Sequence, residues 1–285
     1  MHRLAAIQLR GDGDRDHNLA RAGALIDAAV DQGARLLVLP ENFAYYGADS
    51  AGLAAAAGAE RDASGPARAF LAERARRHGV WILGGTLPLF SGLAVDVDPR
   101  PFAAALLYND SGVEVARYHK IHLFDVTVAA TGRRYCESDS FRPGQDPVVV
   151  RTPFGKLGIS VCYDLRFPEL YRHYATRGAT LVAVPSAFTA TTGAAHWRLL
   201  LRARAVENQC YVIGADLGDR EHPTRPIWGG SAIVDPWGEV VAELDDGEGV
   251  ILADIDTERL ARIRTDMPVL EHRRLGVPRP PLAGC

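Results

Sequence analysis

Strand-like and helix-like segments alternate along most of this sequence, and the fold class they predict is an α/β layered sandwich. Three observations carry that expectation. Short apolar runs bounded by turn residues recur between stretches with apolar residues at helical spacing. The second half repeats the grammar of the first, with enough helices to cover two sheets. No linker, low-complexity tract or exact repeat separates the halves, so residues 1–285 read as a single domain whose strand order the pattern leaves open.

Alternation in RLAAIQL (3–9) predicts a first strand, and DHNLARAGALIDAAVDQG (16–33) sets Leu19, Ala22, Leu25, Ile26, Ala29 and Val30 at helical spacing before Gly33. RLLVLP (35–40) is a continuous apolar run of the kind buried on both faces, closed by a proline and followed by Glu41. GPARAFLAERARRHG (65–79) predicts a helix, its RARR run a solvated face, leading into the strand VWILGGT (80–86). AAALLYN and VEVARYH flank NDSG (109–112), a hairpin signal. In the second half, VVVRTPFGKLGISV reads as a hairpin, FPELYRHYATRG as a helix, TLVAVP as a strand and AAHWRLLLRARAVENQ as a helix. CYVIGAD, GSAIVDPWGEVVAEL with its DPWG turn (235–238), and GVILADID close the chain as strands.

Composition narrows the function classes. Hydrophobic residues at 47% and charged residues at 24% let burial offset chain entropy, which argues against disorder. A net charge of −3 with no Lys/Arg run gives no footprint for nucleic acid or an anionic membrane. The opening MHRLAAIQLR is too short and polar for a signal peptide, and no run approaches the roughly eighteen apolar residues of a membrane span. Cys136, Cys162, Cys210 and Cys285 form no C-x-x-C pattern, which suits a reducing compartment. The expectation is a cytoplasmic protein whose partners are small molecules or copies of itself.

Three residues that can carry chemistry fall just beyond predicted strands: Glu41, Lys120 and Cys162. Sheet ends position groups rigidly while loops expose them. Taken singly, each has an ordinary reading, as a helix-start carboxylate, a surface lysine and a core thiol. Together they suit acyl transfer from an amide without a metal. A thiol near its usual pKa of about 8.5 needs a neighbouring base to become a nucleophile, and Glu41 could take that proton. Lys120 and the backbone N–H of Tyr163 could stabilise the developing oxyanion.

LPENF around Glu41, YHKIHLFD around Lys120 and GISVCYDLRFPEL around Cys162 resemble the nitrilase superfamily of carbon–nitrogen hydrolases, whose Glu, Lys and Cys occur in this order. The similarity runs on through YCESDSFRPG, PSAFTATTGAAHWRLLLRARAVENQCYVI and IVDPWGEV. The resemblance implies a four-layer αββα sandwich, homodimers or larger homo-oligomers, and hydrolysis of a small amide through a cysteine thioester without cofactors. Within the superfamily the motifs look most like the branch of deaminated-glutathione amidase and omega-amidase, with a true nitrilase as a further alternative. A non-catalytic scaffold is the competing reading from another class. Residue matching adds Glu137, which would hold Lys120 charged and oriented.

Other residues keep two readings. Arg166 either pairs with a substrate carboxylate or makes a salt bridge with Asp164 or Glu169. Phe188, Thr191 and Thr192 either line the pocket or are ordinary loop residues. His119 and His122 stand three apart, but Lys120 between them and the lack of a matching third ligand favour structural roles, so no metal is expected. Cys210 reads as core and Cys285 as incidental. Gly230 departs from the family, where His is common, which leaves one wall of the site in question.

Overall fold

The computed structural model describes residues 2–90, 98–128, 132–223 and 225–275. The first half contains strands β1 (His2–Gln8), β2 (Leu36–Val38), β3 (Trp81–Leu89), β4 (Phe102–Tyr108) and β5 (Glu114–His119), with helices α1 (Arg15–Asp31), α2 (Ser50–Ala59) and α3 (Pro66–His78). A ribbon, β6 (Asp125–Val128) and β7 (Arg133–Cys136), then precedes the hairpin β8 (Val148–Thr152) and β9 (Gly155–Ile159). Next come α4 (Pro168–Thr176), β10 (Leu181–Ser186), α5 (Ala190–Asn208) and β11 (Tyr211–Asp216). The short β12 (Gly218–Asp219) and β13 (Ile227–Trp228) lead to β14 (Ala232–Val234), β15 (Val240–Glu243), β16 (Gly249–Ile255) and α6 (Thr257–Asp266).

The strands form two six-stranded mixed sheets, in the orders β16-β1-β2-β3-β4-β5 and β15-β14-β11-β10-β9-β8. Strand alternation assigns each face a partner. On β1, Ala5 and Ile7 pack with Ala22, Ile26 and Ala29 of α1 and with Leu71 and Ala75 of α3. Leu4 and Ala6 point the other way, into a core shared with Leu157, Ile159, Leu181 and Ala183 of the second sheet. Trp197, Leu201 and Ala205 of α5 and Tyr171 and Tyr174 of α4 join that second core. The layers therefore run helix, sheet, sheet, helix, a four-layer αββα sandwich.

Local chemistry sets the boundaries. Asp14 caps α1 by accepting from the His17 N–H at 3.0 Å. Pro66 opens α3, where the buried Glu60 accepts from the N–H groups of Ala67 (2.8 Å) and Arg68 (3.1 Å). Gly79 ends α3 in the left-handed conformation that a side chain would disfavour. The strands and helices expected from the sequence all form, while α2, the β6–β7 ribbon, β12–β13 and α6 were not anticipated. Cys210 is buried in the core as expected; Cys285 lies outside the described residues. Among the described residues no helix is long and apolar enough to cross a membrane.

Candidate active site

Glu41 follows β2, Lys120 follows β5 and Cys162 follows β9, and all three line one cavity of about 490 Å³. The loop after β2 is held by close backbone contact. A Cβ on Gly85 would come within 1.7 Å of the Pro40 carbonyl oxygen, so β3 approaches the Glu41 loop as only glycine allows. Asn42 adopts φ 56° in the left-handed region, with its N–H on Thr86 Oγ1 at 2.9 Å. Cys162 is also left-handed, at φ 46°. Such strain in non-glycine residues persists where surrounding structure over-determines it.

That surrounding structure at Cys162 is the buried Asp164. Its Oδ2 accepts from the Tyr118 hydroxyl (2.7 Å) and the Val161 N–H (2.8 Å). Its Oδ1 accepts from the His122 N–H at 3.0 Å and lies 2.6 Å from His122 Nδ1. One carboxylate thus ties the end of β5, on both sides of Lys120, to the turn that presents Cys162.

Lys120 is 1% exposed and its ammonium lies between two carboxylates, 2.7 Å from Glu41 Oε1 and 2.9 Å from each oxygen of Glu137. Glu137 Oε2 also accepts from the Phe124 N–H at 2.6 Å, which fixes the carboxylate at the end of the β6–β7 ribbon. Burial alone would lower the proton affinity of Lys120, but Glu137, then Glu41 and Cys162, hold it well above the ordinary lysine value. For Glu137 burial dominates and raises its pKa, against the pull of Lys120. Burial and the Glu41 charge push the Cys162 thiol well above its usual range, while Lys120 and the Ala187 N–H pull it down. At rest this thiol keeps its proton. Two carboxylates act on it, Glu41 more strongly than Glu137.

Tyr163, Phe188, Thr192 and Arg166 line the same cavity. Arg166 stands within hydrogen-bonding reach of His196 Nδ1, at 3.1 Å, and lies over the rings of Tyr163 and Phe188. The alternative salt bridge does not form: Asp164 is occupied as described, and no ion pair of Arg166 with Glu169 is present among the described residues. Thr191 departs from expectation. Helix α5 starts at Ala190, so Thr191 faces solvent over an adjoining cavity of about 370 Å³, and Thr192, one residue on, turns inward. Gly230 departs too, because it does not line the cavity. It sits at φ 66° beneath Trp228, where a Cβ would meet the indole Nε1 at 2.7 Å, and its carbonyl accepts from Trp197 Nε1 at 2.7 Å. The two histidines serve different neighbours, His119 stacked on Phe102 and His122 on Phe167.

Arg133, Arg134 and Arg225 join Arg166 on the cavity lining, along with Tyr45 and Tyr46, and the sequence reading did not anticipate them. They stand on short connections whose periodicity is too weak to announce a wall. In the sequence Asp164 reads only as a partner for Arg166. Asp216, buried at the end of β11, was also missed, although it sits at a strand end as Glu41, Lys120 and Cys162 do.

Comparison with known proteins agrees with this architecture. A chain from Yersinia enterocolitica named deaminated glutathione amidase is 41% identical over 272 residues, covering 95% of this chain and 92% of its own. The crystal structure of the Caenorhabditis elegans NitFhit protein superposes with a TM-score of 0.87 at 37% identity, covering 96% of this chain, which spans 65% of that longer one. An amidase from Nesterenkonia sp. AN1 superposes with a TM-score of 0.75 at 30% identity, covering 94% of this chain and 98% of its own; that structure is of a Glu-to-Gln mutant showing Michael addition of acrylamide at the active site cysteine. The carbon-nitrogen hydrolase profile matches residues 3–265, and with that match the chain belongs to the carbon-nitrogen hydrolase family, as an amidase of the nitrilase superfamily.

Proposed function

We propose that the protein hydrolyses the amide of a small dicarboxylate, deaminated glutathione first among candidates, through a thioester on Cys162. One observation carries the reading: a buried lysine pinned between two carboxylates beside a strained, cavity-lining cysteine. Cys162 attacks the amide carbonyl as Glu41 takes the thiol proton. Lys120 and the Tyr163 N–H stabilise the oxyanion, and the Glu41 proton passes to the departing amine. Water then adds to the thioester, losing a proton to Glu41, which returns it to the leaving thiolate. Glu137 keeps Lys120 charged and in place throughout.

The arginines among the lining residues, Arg133, Arg134, Arg166 and Arg225, support a substrate that carries carboxylates. Phe188, Thr192 and the Tyr163 ring would shape the apolar wall against it. Residues 1–285 act as one domain in a reducing, cytoplasmic compartment. The exposed Leu199 and Val206, one turn apart on α5 from Arg202, and the neighbouring Trp237 support association of copies across that helix.

The test is release of amine and acid from deaminated glutathione, α-ketoglutaramate, aliphatic amides and nitriles, with Cys162→Ala as control. Deaminated glutathione should give the highest kcat/KM, and Cys162→Ala should lose at least about a thousandfold in kcat while keeping its unfolding transition. Preference for a neutral amide or a nitrile would refute the substrate reading. Appreciable turnover by Cys162→Ala would refute the thioester.

A further inference from the structure

Asp216 ends β11, fully buried, in parallel register with Ser186 at the end of β10. Its Oδ1 accepts from the Phe188 N–H at 2.9 Å, and its own N–H donates to Ser231 Oγ at 2.9 Å. Its Oδ2 has neither solvent nor a hydrogen-bond partner. Among the described residues no cation touches it: the nearby Arg220 is engaged by the Trp228 carbonyl (2.7 Å) and Asp245 (2.6 Å). A carboxylate in this setting would be an unpaired buried charge within the field of Glu41, so the group that fits is the neutral acid. Burial, reinforced by Glu41, raises its proton affinity in the same direction.

The peptide that Asp216 grips belongs to the site. Ala187 precedes Phe188, and its N–H acts on Cys162; both residues line the cavity with Cys162. We propose that Asp216 is a positioning residue that, as a neutral acid, anchors the Phe188 N–H and so fixes the preceding residue, Ala187, whose own N–H faces the Cys162 sulfur. It touches neither substrate nor the reacting atoms. Its neutrality also keeps a third carboxylate charge away from the Glu41–Lys120–Glu137 cluster. The reason this position carries an acid rather than an apolar residue is the Phe188 N–H, which would otherwise be an unpaired donor at the strand end.

The inference rests on Cys162 being the reactive group, and the test separates the two ideas by reading thiol chemistry as well as turnover. Asp216→Asn and Asp216→Ala are compared with wild type for the rate of Cys162 alkylation by iodoacetamide, for kcat and KM on the best amide, and for thermal unfolding. Asparagine keeps both the acceptor and the neutrality, so Asp216→Asn should stay within about threefold of wild type in both rates. Asp216→Ala should slow alkylation and kcat at least tenfold, with KM changed less than threefold. If the alanine variant fails to fold, the asparagine variant decides alone. Loss in Asp216→Asn as large as in Asp216→Ala, or a tenfold slowing when alanine is absent from the comparison, overturns the neutral-acid role. A folded Asp216→Ala with wild-type alkylation overturns positioning. If turnover is absent even in wild type while alkylation follows the expected order, the amidase reading fails and this one stands.

Discussion

At Lys120 one ammonium satisfies two carboxylates, and the division of labour proposed for them can be separated by chemistry. Glu41→Gln keeps shape and a hydrogen bond but cannot accept a proton, so thioester formation and breakdown should both fail, with kcat falling by at least about a thousandfold. Glu137→Gln should slow attack on the amide yet leave a thiol that Glu41 can still activate. Timed mass spectrometry with a small electrophile distinguishes them: Cys162 should label near the wild-type rate in Glu137→Gln and much more slowly in Glu41→Gln. Rate, rather than final extent, is the informative quantity. Equal wild-type rates would end the proton-shuttle role of Glu41. Arg166→Lys retains charge but loses the planar fork, so kcat/KM should drop about tenfold or more on acidic amides and little on neutral ones. Equal loss on both classes would return Arg166 to a structural role.

Between elements, Asp164 joins the β5 end to the Cys162 turn through three short contacts, with a fourth to the Val161 N–H inside the turn. Asp164→Asn leaves one acceptor oxygen and turns an NH₂ group toward donors, which should cost about 2–4 kcal/mol in urea unfolding and also lower kcat. An unchanged urea midpoint would show that the linkage does not hold the two elements. The strand-end rule that located Glu41, Lys120 and Cys162 in the sequence works because apolar runs announce the strands; Glu137 came only from residue matching, since it follows a four-residue strand with no apolar alternation. Helix α2, SAGLAAAAGA, is nearly all alanine and glycine, so no face contrasts with another, although Leu53, Ala56 and Ala57 are its buried side. Helix α6 was readable in principle: Asp256 caps it at the Arg259 N–H, 2.7 Å away, and Leu260 and Ile263 share a face, but two apolar residues among charges make a faint signal. Cavity walls such as Arg225 depend on how distant loops meet, which periodicity cannot encode.

For the whole molecule, acid stability should carry a signature from His119. Burial first, then Arg117, lowers its pKa from 6.5 to about 4. Between those values the unfolded chain binds a proton that the native state refuses, so this group removes stability as pH falls from 6.5 toward 4 and contributes nothing above. For a half-buried ring the loss should be about 1–2 kcal/mol. His119→Phe keeps a ring against Phe102 without titrating, and its urea midpoint should decline less steeply than wild type across that window. Parallel declines would place the acid sensitivity elsewhere. The chain also closes on itself: β1, from the N-terminal end, lies between β2 and β16, and the β16 register runs from His2 opposite Ile255 to Gln8 opposite Gly249. During synthesis, therefore, β1 waits with one edge unpaired while some 240 further residues leave the ribosome, a period in which it is a template for a neighbouring nascent chain. Premature termination before β16 would yield a sticky fragment instead of a slow enzyme, which makes this fold dependent on whatever shields a growing polypeptide until its last strand arrives.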